Sequence, residues 1–169
     1  MKQPVHHLVT AALLTAVTFL ATAVFRLPSP IGGYINLGDG AVILAGCLLS
    51  PGSALLVAGI GSALADVAAG YLFYAPVTFV IKAAMALLVW LIVRWRRTVY
   101  GILLGGVAAE LVMIIGYYVF EGFLYGFASS LINVPPNAVQ GVAGLVLGTV
   151  MVRIFDQHIR RTRYEYERH

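Results

Sequence analysis

The sequence predicts an all-α integral membrane protein: six transmembrane helices in one bundle, with both termini on the inner side. Three observations predict it. Apolar residues make up 60% of the 169 and charged residues only 11%, against about 25% charged in a soluble domain. Apolar runs close to the roughly 20 residues that cross a bilayer recur between breaks rich in Pro and Gly. The basic residues cluster at the ends of those runs, on one side. Residues 1–169 therefore read as a single transmembrane domain, with a short basic cytoplasmic tail over about 159–169.

The first span covers about residues 7–25. It lacks a strong basic leader and a convincing cleavage site, and more apolar runs follow, so it reads as a span rather than a signal peptide. Pro28, Pro30, Gly32 and Gly33 break the chain into a loop over 26–37. The second helix, about 38–50, is short for a span and ends at the Pro51-Gly52 turn. The third covers about 53–70. A short loop, 71–75, leads to Pro76, which suits the first turn of a helix. The fourth helix continues to about residue 95, closed by Arg94, Arg96 and Arg97. The fifth covers about 99–120, with an extension to 127 left open. A loop over 128–134 ends at Pro135-Pro136, and the sixth helix runs from there to about 159. The charged tail after His158 is either frayed or an extension of that helix.

Orientation follows from the basic residues. With the N-terminus inside, the inner side receives Lys2, Arg94, Arg96, Arg97, Arg153, Arg160, Arg161, Arg163 and Arg168, and the outer side only Arg26. Lys82 lies within the membrane. The imbalance selects both termini inside. The net charge of +4 thus orients the chain in a membrane and gives no reason to expect nucleic acid as a partner.

Topology then sorts the polar side chains by depth. Asp66 falls about one turn from the outer end of the third helix. Lys82 falls roughly 10 Å below the start of the fourth, at 1.5 Å per residue, with Thr78 one turn above it. Tyr117, Glu121 and Tyr125 approach the outer end of the fifth. Asn137 and Gln140 open the sixth, and Tyr34, Asn36 and Asp39 belong to the first outer loop. The inner half is almost purely apolar. A pump or channel needs polar groups through its whole depth. A one-sided cluster of aromatic and polar groups has the make-up of a small-molecule pocket open to the outside.

Each member has a plainer reading. Asp66 and Lys82 are either an ion pair between adjacent helices or ligand contacts. Glu110 lies deeper, protonated or hydrogen-bonded in packing. Tyr71, Tyr74, Tyr117, Tyr118 and Tyr125 equally suit an interfacial belt. Asn137 or Asp39 is an alternative helix cap. Stripes at helical spacing, Ala58/Ser62/Asp66/Gly70, Gly101/Gly105 and Gly141/Gly144/Gly148, allow close helix packing, and Cys47 reads as packing. The phosphate-binding pattern GxxxxGK followed by Ser or Thr is absent, as is HExxH. His6, His7, His158 and His169 lie near the termini, away from the polar cluster, and no Cys/His metal spacing exists. The chain is expected to be no enzyme by itself and to need no cofactor or metal.

Three segments carry a family likeness: GYINLGDGAVILAG at 33–46, GSALADVAAGYLFYAPVTFVIKA at 61–83, and PPNAVQGVAG opening the sixth helix. They resemble the substrate-binding S components of energy-coupling factor (ECF) transporters, ABC-type importers of vitamins and their precursors. The likeness covers nearly the whole chain and is greatest to the riboflavin-type and hydroxymethylpyrimidine/pyridoxine-type subgroup. It implies a multi-pass subunit in a prokaryotic cytoplasmic membrane that binds a vitamin near the outer face. The implied partners are a transmembrane coupling protein and two ATPases, and the ligand is implied to be released inside when the subunit topples in the membrane. Ala12 and Ala16 match the family's AxxxA docking motif. The positions matching its binding region are Asn36, Asp39, Tyr74, Thr78, Lys82, Tyr117, Glu121, Asn137 and Gln140. Among them Lys82 is expected to donate to a ring hydroxyl or carbonyl, its removal weakening binding and sparing the fold. Glu121 is expected to accept from an amino or hydroxyl group, and Tyr74 and Tyr117 to stack on a flat ring. Two other classes compete: a small proton-coupled secondary transporter using Asp66, Lys82 and Glu110, and a scaffold with no ligand.

Overall fold

The computed structural model describes residues 3–96 and 98–166. Lys2, Arg97, Arg168 and His169, which entered the readings above, lie outside the described residues, as do the side chains of His6, His158, Arg160, Arg161 and Arg163. The elements in order are α1 (Gln3–Val24), β1 (Arg26–Pro28), β2 (Tyr34–Asn36), α2 (Gly38–Leu48), α3 (Pro51–Ala68), α4 (Ala75–Trp95), α5 (Val99–Tyr125), α6 (Phe127–Ser130), a 3-10 turn (Leu131–Asn133) and α7 (Val134–Tyr166).

Local chemistry sets the boundaries. Thr18 and Thr22 turn their hydroxyls back to the carbonyls of Leu14 and Thr18, both at 2.8 Å, so polar side chains sit inside an apolar helix without orphaned groups. Pro51 opens α3, where its missing N–H would have no helical partner. Gly70 follows the end of α3 at φ 84°, a conformation glycine adopts without steric cost. The Thr98 side chain caps α5 by accepting from the Gly101 N–H at 3.2 Å.

The five longer helices α1, α3, α4, α5 and α7 pack in that order around the bundle, and α2 packs against all five. Nine of the eleven residues of α2 are buried. At 1.5 Å per residue it is about 16 Å long, half a hydrocarbon core. It works as a central plug. In lipid, helices associate through close packing rather than through exclusion of water, and α2 is built for it. Gly46 lies so near α4 that an added methyl would stand 2.7 Å from the Ala86 carbonyl and 2.8 Å from Val89. Gly148 of α7 admits Ile43 in the same way. Ile43, Leu44, Met85, Val89, Ala109 and Met113 are fully buried in one continuous apolar core.

Several expectations change. The 26–37 loop contains an antiparallel hairpin, with Arg26 opposite Asn36 and Pro28 opposite Tyr34. Three-residue strands are too short for alternation to register in a sequence. The loop expected over 128–134 is instead helical, as α6 and the 3-10 turn, so Pro135 falls in the first turn of α7. The fifth helix ends at Tyr125, between the two extents considered, and the tail continues α7 to Tyr166. Among the described residues, five helices are long and apolar enough to cross a membrane, with α2 the short sixth.

Gly46→Ala should lower the thermal midpoint of the detergent-solubilised protein, because overpacking a filled core costs about 1–3 kcal/mol. Gly52→Ala, where nothing lies within 4 Å, should leave the midpoint unchanged or slightly raised.

Candidate functional site

The hairpin lies over the end of the bundle where α3 finishes and α4 begins. Beneath it Ser29, Gly33, Tyr34, Asn36, Asp66, Tyr74, Thr78, Lys82, Tyr117, Glu121 and Asn137, with Thr22 of α1, enclose a pocket of about 20 Å³. That is room for about one water. The basic ends of the spans, at Arg94, Arg96 and Arg153, lie at the opposite ends of the same helices.

The floor is a knot of charge. The Lys82 ammonium bonds Asp39 Oδ1. These side chains are 1% and 0% exposed. Asp39 Oδ2 accepts from Gln140 Nε2 at 2.6 Å, and Gln140 Oε1 accepts from the Asn36 N–H at 2.8 Å. Asn36 Oδ1 takes the Gly38 N–H at 2.9 Å, supplying α2 with a start that Leu37 does not cap. Four elements, β2, α2, α4 and α7, meet in this one network. Lys82 also lies 5.7 Å from the centre of the Tyr117 ring, a cation–π contact. The Tyr117 and Thr78 hydroxyls share a hydrogen bond of 3.0 Å.

The walls carry two more carboxyl groups. Glu121 accepts from Asn133 Nδ2 at 2.9 Å and from the Tyr74 hydroxyl at 3.4 Å. Asn133 also donates to the Gly32 carbonyl at 3.2 Å, fastening the hairpin to the 3-10 turn. Asp66 Oδ1 accepts from the Tyr34 hydroxyl at 2.6 Å. Burial, then the Asp66 carboxylate, raises the Tyr34 phenol above its ordinary pKa, so it remains a proton donor. Tyr34, Tyr71, Tyr74 and Phe120 run ring to ring at 5.2, 5.8 and 5.1 Å and form an aromatic wall. Gly33, at φ 69°, lies under Tyr74, where an added methyl would come within 3.1 Å of the ring.

Of the nine positions expected from the sequence, seven line the pocket: Asn36, Tyr74, Thr78, Lys82, Tyr117, Glu121 and Asn137. Asp39 and Gln140 lie below them in the floor. Asp39 is no simple cap, because its carboxylate is spent on Lys82 and Gln140. The Asp66–Lys82 ion pair weighed above does not form; each takes a different partner. Lys82 accordingly has a structural role that its position alone did not reveal. Glu110 sits deeper against the bare backbone of Gly141 and Gly144, with no hydrogen-bond partner for either carboxyl oxygen. Ala12 and Ala16 lie exposed on α1. Thr22 and Asn133 were missed. A threonine inside an apolar span and an asparagine before a Pro pair carry no signal that separates them from back-bonded or loop residues.

The fold and site thus define a multi-pass membrane protein with a polar pocket at one end, floored by a buried ion pair above an apolar core. The chain belongs to the family described as the S component of the ECF-type riboflavin transporter, which matches residues 2–157. Members of that family are substrate-binding subunits of vitamin transport systems rather than enzymes. The chain is 36% identical over 130 residues to an uncharacterized protein of Pyrococcus woesei, covering 76% of this chain and 87% of that one. It is 27% identical over 149 residues to the thiamine precursor transporter HmpT of Lactococcus lactis subsp. cremoris, covering 86% and 85%. Among solved structures, the S component of a bacterial ECF transporter superposes with a TM-score of 0.74 at 20% identity, over 91% of this chain and 97% of that one. The biotin S component of an ECF-type ABC transporter gives 0.58 at 20% identity, over 89% and 93%. These two likenesses are of fold.

Lys82→Ala leaves the Asp39 carboxylate buried without its counter-charge, a change that costs about 3–5 kcal/mol. It should lower stability in a detergent denaturation series, and the double variant Asp39→Leu/Lys82→Met should recover most of the loss. Additive losses from Asp39→Leu and Lys82→Met would show that the two side chains do not interact.

Proposed function

We propose that this chain is the high-affinity binding subunit of an ECF vitamin importer in a prokaryotic cytoplasmic membrane, taking a vitamin or vitamin precursor from outside into the pocket under the hairpin. The observation that carries the reading is the convergence of Asn36, Tyr74, Thr78, Lys82, Tyr117, Glu121 and Asn137 on one pocket at the end of the bundle remote from the basic residues. Fixed polar groups beside aromatic rings suit a flat heterocycle such as pyridoxine, hydroxymethylpyrimidine or riboflavin. The name of the Lactococcus relative, a thiamine precursor transporter, supports a precursor of that kind.

Delivery requires partners. The coupling protein and its two ATPases dock on α1, whose face carries Ala12 and Ala16, and ATP hydrolysis there topples the subunit to release the ligand inside. The apolar exterior suits such a motion: Leu13, Leu20, Leu64, Val80, Leu104 and Ile115 all face outward, and few charges would have to cross hydrocarbon. The secondary-transporter alternative has less support. Asp66 bonds Tyr34, while Lys82 bonds Asp39, beside which Glu110 lies, so Asp66 is not hydrogen-bonded to the other two proposed relay charges.

Mass spectrometry of the small molecule released from gently purified protein should identify one vitamin-class heterocycle. Release of none, with no thermal shift by any vitamin, would favour the ligand-free scaffold. Ala12→Trp should bind ligand as well as the unaltered protein and lose uptake in cells that supply the ECF partners. Undiminished uptake would remove α1 from the docking face.

A further inference from the structure

The acidic and basic side chains that line the pocket do not balance. Among the described residues, Lys82 is the one cation lining the pocket, and it is already neutralised by Asp39. Arg26 lies 5.6 Å from the Tyr34 ring centre but is itself exposed. Each carboxyl oxygen of Glu121 receives a protein donor. Asp66 differs. Its Oδ1 takes the Tyr34 hydroxyl, while its Oδ2 is buried and makes no hydrogen bond, the nearby Thr78 hydroxyl being shared with Tyr117. Asp66 lines the pocket and is 5% exposed. A buried acceptor without a partner is costly, and native structures seldom carry one without a reason.

We infer that Asp66 is the specificity-determining residue of the pocket: its unpartnered Oδ2 accepts an N–H of the ligand, and the site selects an amine-bearing, neutral or cationic heterocycle over an anionic one. The inference rests on the proposed binding function and adds the ligand's chemical class to it. An exocyclic amine on a flat ring supplies the missing donor and can lie within the aromatic wall beside Asp66. A carboxylate or phosphate finds no free cation among the described residues of the pocket and meets the acidic walls of Asp66 and Glu121, so it is rejected by like charge as well as by desolvation. The space under the hairpin holds about one water, so a ring enters only if the pocket widens, and a single ring requires the least widening. Asp66 was legible in the sequence as an intramembrane charge. The sequence left an ion pair with Lys82 and ligand contact both open for it, and the ion pair does not form.

The test is a ligand-by-residue cycle on the full-length protein in detergent, using hydroxymethylpyrimidine with its exocyclic amine and the same ring carrying a methyl in the amine's place. The unaltered protein should bind the amine at least about tenfold more tightly, because a site built to receive a donor rejects the analogue that lacks it. Asp66→Asn places an amide N–H where Oδ2 stood, since Tyr34 still occupies the other oxygen. It should weaken the amine at least about tenfold and leave the methyl analogue almost unchanged. Orotate, an anionic pyrimidine, should give no measurable binding. Equal affinity of the unaltered protein for amine and methyl rings would overturn the inference, and so would tight orotate binding. Equal losses of both ligands in Asp66→Asn would reduce Asp66 to a structural residue. If Asp66→Asn does not fold, the amine-to-methyl ratio of the unaltered protein decides alone. Binding of riboflavin or biotin but of neither pyrimidine would sink this inference and leave the importer reading standing. Failure of every vitamin probe would sink that reading itself.

Discussion

A lysine and an aspartate that cannot reach water fix this architecture. A lone charge in hydrocarbon costs at least about 2.5–3.5 kcal/mol, so Lys82 on α4 must find an anion at its own depth. Asp39, at the start of α2, meets that need. The requirement has geometric consequences. It places the first turn of α2 well below the outer surface, which leaves α2 short and buried among five neighbours. It brings in Gln140 to fill the second Asp39 oxygen, which sets the depth of α7. It draws Asn36 in from the hairpin to fill Gln140. The space left above the knot is the pocket.

Pocket and core divide the bundle into two regimes. Above the knot, hydroxyls, carboxyls and rings are held by one another: Thr78 by Tyr117, Glu121 by Asn133, Asp66 by Tyr34. Such mutual support positions binding groups before a ligand arrives, so less ordering is needed on binding. Below it, Ile43, Met85, Val89 and Met113 close the path. A binding subunit that relies on other proteins for energy needs this division, because a continuous polar path would leak.

How far the sequence revealed this depends on the kind of information involved. Depth was legible. Counting residues from span ends put Thr78, Lys82, Glu121 and Asn137 in the outer half, and they line one pocket. Partnership was not legible. Asp66 and Lys82 are close in sequence on consecutive helices, yet Lys82 pairs with a residue 43 positions away. Nothing in a hydropathy profile orients one helix about its axis relative to another. The central place of α2 was hidden for the same reason: its shortness was visible, but being short is equally compatible with the edge of a bundle. The hairpin escaped because its strands are three residues long and its Pro and Gly residues read as loop.

The most direct measurement of the central claim, a pocket reached from outside above a sealed floor, is thiol accessibility in intact cells. In a Cys47→Ser background, Thr78→Cys places a thiol in the pocket and Met85→Cys places one beneath the floor. A small membrane-impermeant methanethiosulfonate added outside should modify the Thr78→Cys protein, with protection by bound ligand, and should leave the Met85→Cys protein untouched. Modification of the Met85→Cys protein, or of the Thr78→Cys protein only after the inner face is exposed, would contradict the account.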